Sequence, residues 1–471
     1  MLNDILLIMP MELLLTVILF ILLIGKLAAK SGGSALPWIQ FLLLANLLSG
    51  FLVHPKGQLF AGLYQTNELI SFQKSLLNGS VYLISILFTG WLKKSEHVIE
   101  FFILMLAALL GMHFMLSSGN LLMFYLALEL STIPLAALVN FDMHRRRSSE
   151  AAIKMVYGSA FSSALMLFGI SFIYGQTGSL SLSMWPMHDT GLMLQPMMVV
   201  GCLLFLGAFA FKLSVVPFHF WTGDVYEGAP VPVAAFLSVT SKAAAAFTLI
   251  RLLNETLIAF TDVWKPLWMI LGAATILLGN LFAMRQENMK RFLAFSSVAQ
   301  IGFVLLGMIG VPIQVDSSIT YFLLIYIFSN LAAFAVVDVI AANTGKERIE
   351  DYKGLYKSNP FLSWMLAIAL FSLAGIPPTA GFFGKLFLLT SPAYTGHYGL
   401  LIFAALNMMV SLYFYLRVIR AIFMDKPHEE MVSIPMNASL KFGLIVSSIA
   451  TISIGMLYWI FDHISSLLTF H

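Results

Sequence analysis

Apolar runs about as long as a bilayer is thick recur along the whole chain, and this decides what it can fold into. Fourteen such segments can be read, at about 5–25, 36–53, 75–92, 99–116, 120–141, 150–174, 197–218, 230–253, 264–284, 291–310, 318–342, 361–390, 398–424 and 440–462. A helix rises about 1.5 Å per residue, so ~20 apolar residues cross a hydrocarbon core of ~30 Å. The longest polar breaks, about 55–74, 175–196, 343–360 and 425–439, are too short to hold a soluble domain. Charged residues make up 10% of the 471 positions and apolar ones 59%, whereas a soluble domain carries about 25% charge. The short alternating strands of a membrane barrel are missing from the pattern. The expected fold class is an all-α integral membrane protein with about fourteen transmembrane helices.

The basic residues orient these segments, because cytoplasmic breaks carry an excess of Lys and Arg. With the N-terminus outside, 18 of the 26 Lys and Arg fall in cytoplasmic breaks, Lys26 and Lys30 among them. Four fall in outer breaks (Lys56, Lys74, Arg251 and Lys265), and four inside spans (Lys154, Lys212, Lys242 and Lys385). One missed helix would scramble this split. Both termini are therefore expected on the outer side. The first segment has no basic leader, contains Pro10 and precedes Lys26, so it reads as a retained span and not a cleaved signal.

Composition also excludes chemistry. Cys202 is the single cysteine, so no disulfide, iron–sulfur cluster or cysteine-type zinc site fits within the chain. No GxGxxG occurs, and Gly384-Lys385 fails as a phosphate loop because Thr379 and Leu386 stand where glycine and Ser/Thr are needed. The chain is expected to hold no cofactor and no metal, and to bind no nucleic acid.

A charge near the bilayer centre costs at least about 2.5–3.5 kcal/mol and marks function by default. Glu129 is the clearest case, in LLMFYLALELSTIPLAALV, with Pro134 five positions later. Lys212 lies in LGAFAFKLSVVPFHFW, five residues before Pro217. Lys242 is mid-span in FLSVTSKAAAAFTL, and Lys385 follows the break in AGIPPTAGFFGK. Lys154 lies about one turn inside the span after Glu129, at 1.5 Å per residue close to the membrane face. These residue types suit proton handling. A desolvated lysine gives up its charge readily, and an approaching carboxylate reverses this. A lysine whose carboxylate can be engaged or released is thus a loadable proton site, which arginine cannot be. The competing reading for Glu129, Lys212 and Lys242 is a static ion pair that fixes helix packing. For Lys154 it is snorkelling to the interface. His219, at the cytoplasmic end of its span, suits a proton relay or a helix cap. His113 reads as an isolated core residue.

Lys212 and Lys385 adjoin proline-broken helices, a recurring device of transporters where backbone lines a cavity. The two breaks fall in spans seven and twelve. That odd offset predicts two inverted five-helix repeats, 99–253 and 264–424, between an N-terminal three-helix segment, 1–98, and a C-terminal helix, 425–471.

The stretch PFHFWTGDVYEGAPVPVAAFLSVTSKAAAAF at 217–247 resembles the signature of the antiporter-like membrane subunits of respiratory complex I. LALELSTIPLAALV at 126–139, MKRFLAFSSVAQIGFVLLG at 289–307 and GIPPTAGFFGKL at 375–386 agree. The DVYEGAP wording, and lysine at span twelve, resemble the N-type among the sister chains. The likeness spans about 100–425 and weakens in the first three spans and the last. It implies fourteen helices and a mid-membrane polar chain. It carries the family's proton-translocating roles onto Glu129, Lys212, Lys242 and Lys385, and polar relay positions onto Lys154 and His219. It implies NADH, flavin, iron–sulfur clusters and quinone in partner subunits, sister membrane subunits as partners, and a bacterial inner-membrane location. Gln300 departs from the family's histidine, so a route through it needs bound water, or else the histidine is dispensable. Gly223 departs from the usual WTPD and is expected to loosen that turn. A subunit of a multisubunit sodium–proton antiporter and a structural scaffold between pump modules are the alternatives.

Overall fold

The computed structural model describes residues 2–28, 35–53, 55–182, 195–427 and 433–467. Each of the fourteen expected segments contains helix, with breaks inside those at 197–218 and 361–390. Ten helices among the described residues are long and apolar enough to cross a membrane, and the apolar helices Leu36–Leu52, Pro196–Lys212 and Pro360–Ala374 are shorter. Lys30 and parts of two polar breaks lie outside the described residues.

Burial sorts the helices into a centre and a rim. The windows within Val231–Thr256 and Met289–Gly307 are 100% and 94% buried, whereas those in Pro10–Leu27 and Tyr398–Phe423 are 28% buried. The rim helices expose large apolar side chains such as Phe20, Trp38, Ile133, Tyr157 and Met409. A bilayer solvates such a surface, and water does not.

Two runs of helices repeat one order. Val98–Leu116 and Leu121–Val139 are followed by the 32-residue Arg146–Thr177, then by a broken helix. Thr261–Arg285 and Met289–Gly307 are followed by the 33-residue Pro312–Thr344, then by a second broken helix. Gly111 allows the first pair to touch. A Cβ there would lie 2.8 Å from the Leu130 carbonyl carbon and would also strike the Ser131 amide, so only glycine lets the helices pack backbone to backbone beside Glu129.

The break expected at 55–74 is structured differently. Gly57–Leu59 pairs antiparallel with Tyr64–Thr66, Gly57 opposite Thr66. The Asn67 side chain then accepts the Ile70 amide at 2.8 Å and starts the helix Glu68–Leu87. The span expected from 75 therefore begins seven residues earlier. Lys74, placed by its sequence in an outer break, is inside that helix and 1% exposed.

Candidate functional site

The site grows from the two helix breaks. Pro196–Lys212 ends at Lys212, and Ser214 takes the left-handed conformation at φ 61°. The chain passes a cis Val216–Pro217 bond and resumes helix at Phe220–Gly228. The freed Val216 amide donates to Thr275 Oγ1 at 3.0 Å, on a helix of the second run. Pro360–Ala374 ends at Gly375, φ 86°, and Ala380–Tyr394 begins after a cis Pro377–Pro378 bond.

Lys212 Nζ donates to Ser131 Oγ at 2.8 Å and to Thr132 Oγ1 at 2.6 Å. Both hydroxyls sit on the Glu129 helix and donate in turn to Leu128 O, each at 2.7 Å. Thr132 and Glu129 line a cleft of about 400 Å³ with Asn140 and Ser159. Glu129 Oε1 is buried there without a hydrogen-bond partner. The structure thus sets Lys212 on the hydroxyls of the Glu129 helix, with no ion pair between Glu129 and Lys212, and Thr132 touches Lys212 and lines the cleft with Glu129.

Lys242 opens the helix Lys242–Arg251, behind a π-helical turn at Leu237–Ser241. Its Nζ donates to Ser297 Oγ at 2.9 Å and lies 5.7 Å from the centre of the Tyr226 ring. Ser297 and Gln300 are one turn apart on Met289–Gly307. Gln300 Nε2 donates to Leu373 O at 2.8 Å and to the Tyr415 hydroxyl at 3.2 Å. Lys385 Nζ donates to the same Leu373 carbonyl at 2.7 Å and to Ala374 O at 3.2 Å, with the Phe303 ring 4.9 Å away. The helix break frees those carbonyls, which an unbroken helix would consume. The three lysines are held by neutral oxygens and ring faces. Among the described residues none of them is ion-paired, so the static-pair reading finds no pair here. An ammonium has three donors, and a carboxylate or water that approached would find one unspent.

Gln300 is therefore the side chain joining the Lys242 end of this line to Lys385. Its Oε1 is buried without a hydrogen-bond partner, which leaves one acceptor for a bound water. Gln300→Leu is expected to slow proton uptake about two- to tenfold, since a group that merely orients water gives less than a general acid's ~10²–10⁴. Gln300→His is expected to keep the wild-type rate. Proton uptake into vesicles of the two variants checks both.

Two expected relay residues lie off this line. Lys154 Nζ pairs with Asp224 at 2.6 Å and Glu150 at 2.7 Å, and its side chain is 41% exposed. It belongs to a surface network in which Arg291 holds Asp224 and Glu227, each at 2.8 Å. Burial opposes the charge on Asp224, but its bonds to Lys154 and Arg291 outweigh this and hold the carboxyl below its ordinary range. His219 is 2% exposed among the Phe220 and Phe282 rings, and its Nδ1 has no partner. Gly223, expected to loosen its turn, lies within the helix Phe220–Gly228, and the Phe295 ring fills the space a Cβ would need, 2.9 Å away.

The hydroxyls Ser131, Thr132, Ser297 and Tyr415 were not legible as site residues. A Ser or Thr in an apolar helix ordinarily bonds back to its own carbonyl row, and Ser131 and Thr132 do this as well as holding Lys212.

The family model described as NADH:quinone oxidoreductase/Mrp antiporter, TM, matches residues 118–411, which include every lysine of this line and Glu129. The chain belongs to this family. As a member of the antiporter family it is 42% identical over 416 residues to the NADH-quinone oxidoreductase subunit N of Azobacteroides pseudotrichonymphae genomovar. CFP2, which covers 87% of this chain and 86% of that one. It is 41% identical to subunit N of Phocaeicola vulgatus, over 86% of each. Among solved structures, a chain of respiratory complex I from Thermus thermophilus with bound Aureothin superposes with TM-score 0.81 at 29% identity, over 95% of this chain and 97% of that one. A chain of the Mrp complex from Dietzia sp. DQ12-45-1b superposes with TM-score 0.84 at 21% identity, a likeness of fold, over 97% and 96%. The match and the superpositions thus cover both broken helices.

Proposed function

We propose that this chain is a proton-translocating membrane subunit of NADH–quinone oxidoreductase, of the N-type. The observation that carries the reading is a set of polar contacts drawn from both helix runs: half-buried Lys212 on Ser131 and Thr132, buried Lys242 on Ser297, and buried Gln300 and Lys385 on one carbonyl. Electron transfer from NADH through flavin and iron–sulfur clusters to quinone belongs to partner subunits in this reading. Sister antiporter-like chains are its membrane neighbours. The chain sits in the bacterial inner membrane with both termini outside, and 99–253 and 264–424 are inverted repeats.

A signal from the neighbouring subunit moves Glu129 relative to Thr132 and Lys212 and so changes the charge on Lys212. The proton passes by way of Lys242 and the Gln300 turn to Lys385 and the opposite side. Lys154 and His219 serve at its cytoplasmic approach. Moving one charge against 100 mV costs about 2.3 kcal/mol. A change of two in a lysine's pKa is worth about 2.7 kcal/mol, so a switch of this kind is large enough.

The test is Lys242→Ala in inverted membrane vesicles, with NADH oxidation and proton uptake read together and assembly checked on a native gel. Both rates are expected to fall severalfold with the complex assembled, and neither to depend on sodium. If NADH oxidation stays intact while a sodium-dependent antiport disappears, the chain is an antiporter subunit instead. If both rates stay intact, the line is inert and the scaffold reading wins.

A further inference from the structure

A second buried titratable cluster lies apart from this line. Glu12 on Pro10–Ala28, Lys74 on Glu68–Leu87 and His113 on Val98–Leu116 converge from three helices. They are 2%, 1% and 0% exposed. Lys74 Nζ stands 2.5 Å from Glu12 Oε1 and donates to the Tyr64 hydroxyl at 2.8 Å. His113 Nδ1 is 3.6 Å from the same Glu12 oxygen. Neither ring nitrogen of His113 has a hydrogen-bond partner.

We propose that Glu12, Lys74 and His113 form a further proton-carrying site, on a second outward branch that leaves the line at Lys242 and runs beside the one through Lys385. This rests on the proton-translocating reading and adds residues on the first, third and fourth spans, outside the 118–411 match.

Three features set the cluster apart from a packing device. A buried ion pair is weak support for stability, and an apolar replacement often does as well. A pair that only fixes packing also has no need of a third ionisable ring with both nitrogens unspent. Finally, polar side chains lead from the cluster toward the line already described. Asn78 is one turn beyond Lys74 and has a buried, unpartnered Oδ1. Ser80 Oγ then meets Thr240 Oγ1 at 2.8 Å, in the π-helical turn that ends at Lys242. On the outer side the hairpin strand Tyr64–Thr66 covers the cluster. Arg251 is held there by Leu116 O, Gln65 Oε1 and Glu255, at 2.6, 3.0 and 2.9 Å. The charged and titratable groups facing the cluster are thus Tyr64 and, at its edge, Arg251 with Glu255.

The transfer balances. An N–H of Lys74 breaks as an O–H forms on Glu12, and both charges vanish. That O–H breaks as an N–H forms on His113 Nδ1, restoring the carboxylate and leaving an imidazolium. The Nε2–H then breaks as a water on the outer side takes that proton, the ring shifts its Nδ1 proton back to Nε2, and a protonated water on the Asn78 side restores the N–H of Lys74.

Lys74→Arg and His113→Gln test this in the assembled complex. Arginine keeps the ion pair with Glu12 but does not deprotonate, and glutamine keeps the volume of His113 without its titration. A relay predicts that each variant assembles and loses NADH-driven proton uptake at least threefold. Uptake at the wild-type rate in either assembled variant overturns the proposal. If one variant does not assemble, the other decides, and if neither assembles the cluster is structural and the proposal falls. Lys242→Ala in the same strain separates the two claims. If it abolishes uptake while His113→Gln does not, only this inference fails. If both leave uptake intact, the translocating reading fails as well.

Discussion

Replacing Lys212 by alanine is expected to remove nearly all NADH-driven proton uptake from an assembled complex, and NADH–quinone electron transfer with it. A positioned acid or base contributes about 10²–10⁴-fold to a proton transfer. Leak through other routes leaves a floor, so a fall of at least ~10-fold in both rates is the expected reading. The fold is expected to survive. Ser131 and Thr132 each keep a bond to Leu128 O when the ammonium is gone, so no buried hydroxyl is stranded. Lys212 also stands at the end of its helix, where the backbone already departs from helical bonding. The companion variant is Lys212→Arg. It preserves a cation able to reach both hydroxyls but does not release a proton. It is expected to be as inactive as Lys212→Ala. If the arginine variant pumps normally, Lys212 acts through its charge alone, and its role as a loadable site is wrong. Native gels establish assembly. Paired measurement of NADH oxidation and vesicle acidification then separates a lost pump from a lost complex.

How much of this was legible in the residues depends on whether a signal is local. Lys212, Lys242 and Lys385 stand out because an ammonium within an apolar run has a cost that needs a reason. The helix breaks are equally local, written as proline after Lys212 and before Lys385. What escaped is what only packing creates. Lys74 follows Asn67, Glu68 and Gln73, and reads as connector. It becomes a core residue because Glu12, on another helix, supplies its carboxylate. His113 looked isolated for the same reason, its neighbour being that same Glu12 oxygen. Ser297 is 55 positions from Lys242, and no helical period connects them. Gln300 was legible only as a departure, and its link to Lys385 exists because two donors share the Leu373 carbonyl. Glu129 and Lys212 were expected to act as a pair, and Thr132, which touches Lys212 and lines the cleft with Glu129, was not expected. Lys154 was legible only in part. Its place one turn inside a span, close to the membrane face, left snorkelling open beside a relay role, and what the sequence did not show is which acidic groups its stem would reach.

The break that carries Lys385 makes Gly381 the position where one added side chain is expected to do most damage to the fold. A Cβ on Gly381 would run into the Ser372 carbonyl oxygen and lie 2.6 Å from its carbon. Both are backbone atoms, which cannot rotate away. The helix Ala438–Met456 closes the other side, because a Cβ on Gly455 would sit 2.7 Å from the Ala380 Cα. The start of Ala380–Tyr394 is therefore pressed against the end of Pro360–Ala374 with no slack. Gly381→Val must push these two half-helices apart. Overpacking a dense core costs about 1–3 kcal/mol, and a backbone clash falls at or beyond the top of that range. The carbonyls next in line after Ser372 are those of Leu373 and Ala374, which hold Lys385 Nζ and the Gln300 amide. A shift that opens the break therefore also unseats both side chains. Gly381→Val is expected to lower the amount of assembled complex severalfold, and to lower proton uptake per assembled complex as well. Gly399→Ala is the control, because a Cβ there meets nothing within 4 Å, and it is expected to leave both unchanged. If Gly381→Val assembles and pumps like Gly399→Ala, the half-helices tolerate separation, and the shared carbonyl does not position Lys385.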